Sequence, residues 1–258
     1  MNGSKLRANY RDEGSGTRWV TFVTGIANDL SLWDGQIPAL ERDFRILRYD
    51  LRGHGGSEAT PGDYSIALLV NDLANLIDSR KIQKTSLVGL GLGGAIVQAF
   101  AIAHPGRVER LMPCCCRARM VPDFAALWQK LRATVQQNGL ETIVEPTVQR
   151  WFSDDFKAAH PEVLDKVRRM IRGTTQQGYL GVTAAFLGLE IEDQLGRIRA
   201  PTLYVSGAND HLGGPPLLMK GLSEKVEGAR HVSVPNAAHI ANIQNPDGFN
   251  QVLREFLR

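Results

Sequence analysis

Apolar residues fall along this chain in two alternating patterns. Short, nearly continuous runs at residues 19–23, 44–49, 85–88, 108–112, 202–205 and 231–234 read as strands buried on both faces. Between them, apolar positions recur with helical spacing over 66–79, 94–104, 216–225 and 247–257. Buried strands alternating with amphipathic helices predict an α/β fold, a mostly parallel sheet flanked by helices. Residues 5–12 are expected to add an antiparallel edge strand. The alternation stops between 117 and 195, where only helical patterns occur, at 124–137, 141–152, 161–171 and 179–187. This stretch is expected to form an inserted helical cap (117–195) over a core made of 1–116 and 196–258. Such a cap would stand over the carboxyl ends of the strands, where α/β sheets bind ligands.

Composition changes this picture little but excludes several classes. At 43% hydrophobic and 22% charged residues the chain is neither disordered nor a coiled coil. No apolar run approaches the roughly 18 residues of a membrane span. The net charge of +3 contains no block of like charges, so no nucleic-acid partner is expected. The three cysteines are consecutive, Cys114, Cys115 and Cys116, which is no disulfide framework. With no apolar core in the first five residues, a cytoplasmic setting is expected.

The chemistry concentrates in Leu87-Val88-Gly89-Leu90-Gly91-Leu92-Gly93-Gly94. A strand enters a helix here through closely spaced glycines. The string satisfies G-x-G-x-x-G, a dinucleotide fingerprint, but this strand is not the first of the sheet and no acidic residue ends a later strand about 20 positions on. The other pattern is a nucleophile elbow, G-x-S-x-G, with Gly91 where the nucleophile belongs.

Residues 32–40 (LWDGQIPAL), 44–57 (FRILRYDLRGHGGS), the elbow, Arg150-Trp151-Phe152 and Ala238-His239-Ile240-Ala241-Asn242 together resemble the α/β-hydrolases, and among them the 3-oxoadipate enol-lactonases. The resemblance implies a small-molecule ester or lactone substrate and no cofactor or metal. It implies Asp210 as the orienting carboxylate, His239 as the base, and backbone N–H groups of Leu92 and Ile26 as oxyanion donors. The order 91, 210, 239 is the order of elbow, acid and base in that fold. Imidazole suits the task because its pKa lies near neutrality and a carboxylate fixes its tautomer.

Gly91 departs from the family pattern: without a side chain, no acyl-enzyme forms there. Three readings stay open. The chain is an inactivated hydrolase, or a His239–Asp210 dyad enzyme acting on water or on a substrate proton, or a non-catalytic small-molecule binder. Trp33, Trp151, Arg117 and Arg119 are candidate substrate contacts, the arginines because guanidinium binds carboxylates bidentately. His54 is expected to be structural, holding the loop that follows a strand. The cysteines are expected to pack as small apolar residues, since nothing nearby visibly activates a thiol.

Overall fold

The computed structural model describes residues 6–258. Seven strands form one sheet: β1 (Tyr10–Glu13), β2 (Arg18–Val23), β3 (Phe44–Tyr49), β4 (Thr85–Leu90), β5 (Val108–Cys114), β6 (Leu203–Gly207) and β7 (Arg230–Val234), in the order β1-β3-β2-β4-β5-β6-β7. All neighbours pair in parallel except β1 with β3. The edge strand is thus antiparallel and begins at Tyr10; Lys5 lies outside the described residues. Every residue of β4 is buried, as expected for a central strand covered on both faces.

Helices α1 (Ile37–Leu40), α2 (Ile66–Ser79) and α3 (Leu92–Ala103) belong to the first half of the core. Ser65 caps α2 by accepting the Leu68 N–H, and Leu69, Val70, Leu73, Leu76 and Ile77 form its buried stripe. Helix α3 is buried on nearly all sides, consistent with its continuous apolar sequence. It begins at Leu92, two residues before the expected start.

Five helices stand between β5 and β6: α4 (Pro122–Asn138), α5 (Val144–Trp151), α6 (Asp154–Ala159), α7 (Pro161–Arg172) and α8 (Gln176–Leu187). The helix expected over 141–152 is split, because a 3-10 turn at Leu140–Ile143 precedes α5. Helix α6 had no apolar stripe to reveal it and buries none of its residues. Helix α8 starts earlier than its apolar pattern because Gly178 and Gly181 interrupt that pattern. A Cβ on Gly178 would lie 2.3 Å from the Gly53 carbonyl, and one on Gly181 would lie 2.4 Å from the Tyr64 ring. These glycines let α8 press directly on core loops. Helices α9 (Pro216–Ser223), α10 (Ala241–Gln244) and α11 (Pro246–Leu257) complete the fold. Parallel pairing brings the carboxyl ends of β2, β3, β4, β5, β6 and β7 to one edge of the sheet, where α4, α5 and α8 help line a cavity. Among the described residues, no helix is long and apolar enough to cross a membrane.

Candidate active site

At the end of β4 the chain turns through Gly91 with φ 59° and ψ −120°. The turn explains its flanking glycines. A Cβ on Gly89 would meet the Gly93 carbonyl at 2.3 Å, and one on Gly93 would meet the Val23 carbonyl at 2.3 Å. Gly93 therefore packs directly on the β2 backbone. Gly91 differs from both. A Cβ there would find only His239 Nε2 at 3.7 Å and Gly25 Cα at 4.0 Å, ordinary contact distances.

The loop after β6 carries Asp210, which is buried. Its Oδ1 accepts the N–H groups of Leu212 (2.8 Å) and Gly213 (3.2 Å), and its Oδ2 accepts that of Gly214 (3.0 Å). His239, in the loop after β7, sets Nδ1 3.0 Å from Asp210 Oδ2. Burial alone would raise the Asp210 pKa, but the adjacent His239 and the Leu212 and Gly214 N–H groups outweigh it and hold the carboxyl below its ordinary value. A carboxylate on Nδ1 favours the tautomer with its ring hydrogen there, and in that tautomer Nε2 is an acceptor facing Gly91.

Sequence reasoning missed what holds this pair. Gly213 lies against the imidazole, since a Cβ there would sit 2.1 Å from His239 Cε1. The backbone N–H of His239 donates to the Trp151 carbonyl on α5 (3.1 Å). Gln244 Oε1 accepts the Ala238 N–H (3.1 Å), while Gln244 Nε2 donates to Ser153 Oγ (2.6 Å). The Gly213-Gly214 doublet following Asp210 was the available signal for a tight acid loop.

Opposite the imidazole lies the turn after β2. Ile26 and Leu92 both border the cavity above Gly91. Leu92 opens α3, so its N–H has no acceptor within the helix. Ala27, at φ 59°, donates its N–H to His54 Nε2 (3.1 Å), and His54 Nδ1 pairs with the Arg52 carbonyl (3.0 Å). His54 thus ties the loop after β3 to the turn carrying Ile26. Burial pushes its pKa down to about 4, so it stays neutral. His211 is exposed, and His231 bonds Ser206 at 2.9 Å on the sheet, away from the cavity.

Of the candidate substrate contacts, Trp151 and Arg117 border the cavity. Arg117 lies over the Phe124 ring at 4.0 Å and donates to the Leu212 carbonyl (3.1 Å), while its Nε is buried without a partner. Arg150 joins it in the lining, and burial lowers the pKa of both guanidinium groups. Among the described residues neither pairs with a carboxylate. Two expectations are corrected. Trp33 does not wall the cavity; it is wholly buried, with ring centroids 4.7 Å from Phe22 and 6.2 Å from Phe249. Arg119 lies outside the cavity, with its guanidinium committed to Glu190 and Asp193, each at 2.6 Å.

Cys115 brings its sulfur within 4.8 Å of ligand atoms of Asp210 and His239. Metal does not fit this trio, because Asp210 already accepts three N–H groups and the imidazole on its two oxygens. Burial, then the Asp210 charge, pushes the Cys115 thiol well up, so it remains protonated and non-nucleophilic.

Known proteins resemble this chain over nearly its whole length. The family described as alpha/beta hydrolase fold matches residues 18–246. The 3-oxoadipate enol-lactonase 2 of Acinetobacter baylyi is 28% identical, covering 100% of this chain and 96% of that protein. The crystal structure of the enol-lactonase from Burkholderia xenovorans is 32% identical and superposes with a TM-score of 0.94, covering 98% of this chain and 97% of that one. A malate-bound thermophilic esterase from Thermogutta terrifontis gives a TM-score of 0.94 at 28% identity, covering 100% and 95%.

Proposed function

From the premise that this chain belongs to the α/β-hydrolase fold family, we propose that it cleaves a small carboxylic ester or lactone by direct attack of water, without an acyl-enzyme. The carrying observation is His239 Nε2, unencumbered and 3.7 Å from the point where a residue-91 Cβ would lie. In this mechanism a water occupies the space of the missing side chain. Its oxygen bonds the substrate carbonyl carbon, its proton passes to Nε2, and the carbonyl electron pair moves to the oxygen. The N–H groups of Leu92 and Ile26 receive that oxyanion, and Asp210 stabilises the imidazolium. Collapse expels the alkoxide, which takes the proton back from Nε2.

Arg117 and Arg150, cationic and among the described residues without carboxylate partners, in a cavity walled largely by apolar side chains, suit a substrate that carries its own carboxylate. The similarity to enol-lactonases agrees with such a substrate.

The test is turnover of phenyl acetate and of a small enol-lactone by the wild type, His239→Ala and Asp210→Asn. General-base catalysis predicts a fall of about 10²–10⁴-fold in His239→Ala. Rates no faster than buffer in both wild type and His239→Ala, with ligand still bound, would make the protein a binder.

A further inference from the structure

We propose that the same void also admits carbon chemistry: His239 Nε2 abstracts a proton from the carbon next to a bound ketone or lactone carbonyl. The inference rests on His239 as general base, as in the hydrolytic reading, but requires no water and no leaving group.

In an ordinary elbow a hydroxyl stands between the imidazole and the ligand. Here nothing does, so the ring nitrogen itself is the group a ligand meets. A Cβ on Gly91 would stop 3.7 Å from Nε2 and 4.0 Å from Gly25 Cα, so the face of Gly91 beside the ring nitrogen is open, and a ligand carbon resting in van der Waals contact on that face has Nε2 within reach. A ligand whose carbonyl oxygen takes the Leu92 and Ile26 N–H groups would bring its α-carbon over Gly91, with a C–H toward Nε2.

The step balances within the site. The C–H bond breaks, its proton goes to Nε2, and its electron pair moves through the new C=C bond onto the carbonyl oxygen as an enolate. The two amide donors hold the enolate oxygen and Asp210 holds the imidazolium. The imidazolium proton exchanges with solvent, and its return to carbon gives exchanged or isomerised substrate. The ligand class is a cyclic ketone or lactone with an apolar body. Phe124, Trp128 and Phe186 offer that body a set of edge-on aromatic faces, with ring centroids 5.1–6.2 Å apart.

The experiment follows deuterium incorporation into 2-tetralone in D₂O by ¹H NMR, with binding measured in the same samples by saturation transfer. A ketone has no leaving group, so this signal is independent of hydrolysis, and phenyl acetate turnover is measured alongside. The expected result is exchange at least ~10²-fold above buffer at matched pD, lost in His239→Ala. Gly91→Ala fills the void with a methyl group and is expected to cut exchange at least about tenfold while 2-tetralone still binds. Bound 2-tetralone with exchange no faster than buffer, while phenyl acetate is hydrolysed, overturns the carbon-acid proposal and leaves the hydrolytic one standing. Failure of both signals overturns both. Exchange that survives in His239→Ala or is unchanged in Gly91→Ala also overturns it.

Discussion

Replacing Gly91 with serine restores the one atom set the elbow lacks, and the structure fixes what should follow. The new Cβ would lie 3.7 Å from His239 Nε2 and 4.0 Å from Gly25 Cα, so no neighbour has to move. A hydroxyl one bond further on can reach hydrogen-bond distance of Nε2. The cost is conformational. Gly91 sits at φ 59°, ψ −120°, where a residue with a Cβ is strained by about 1–3 kcal/mol. For a chain of this size, that lowers Tm by roughly 2–10 °C. The gain is a covalent route: losing the nucleophile in such sites costs on the order of 10⁶ in turnover, with about 10³–10⁴ over water remaining from the oxyanion donors and binding. Gly91→Ser should therefore raise p-nitrophenyl acetate hydrolysis at least about 10³-fold over the wild type. A stopped-flow burst of p-nitrophenolate and an acetyl adduct by mass spectrometry should accompany it. Gly91→Ala supplies the control, with the same loss of Tm and no burst. A folded Gly91→Ser protein with neither burst nor adduct would refute the assignment of His239, Asp210 and the amide donors as one assembled site.

Two further outcomes follow from the same geometry. Gly213→Ala puts a methyl carbon 2.1 Å from His239 Cε1, so the ring must leave Asp210; in the Gly91→Ser background the esterase rate should fall about 10²–10⁴-fold with circular dichroism unchanged, and an unaffected rate would contradict the packing. His54 is buried neutral with its pKa near 4, against an ordinary 6.5, so the unfolded chain binds its proton first as pH falls. Its contribution is complete above pH 6.5 and is lost between 6.5 and about 4, in all about 3 kcal/mol. Urea unfolding at pH 7 and 4.5 should show that loss in the wild type and a smaller one in His54→Gln, while equal losses would exclude His54 as the source.

The sheet was legible because buried parallel strands are written as short apolar runs, and β2 to β7 all coincide with such runs. The inserted helices were legible as a block but not in their joints. Helix α6 buries nothing, and α8 hides its first turn behind glycines chosen for close packing. Positions 91, 210 and 239 could be picked out because each follows a strand in a glycine-rich or family-like context. Trp33 and Arg119 were misjudged for one physical reason: nearness in sequence to a functional loop does not fix where a side chain points. The partners of Arg119 are Glu190 and Asp193, more than seventy positions away, and no local pattern announces them.

The base loop shares hydrogen bonds with the end of α5 and the residues just after it. The Trp151 carbonyl takes the His239 N–H, and Gln244 bridges Ala238 to Ser153. A chimera that borrows these helices from another protein would have to bring a carbonyl back to the same point to hold the base loop, so transplanting selectivity would disturb the setting of His239 as well. A shift of α5 would carry the Trp151 carbonyl with it, so the setting of the base loop depends on that helix as well as on Asp210.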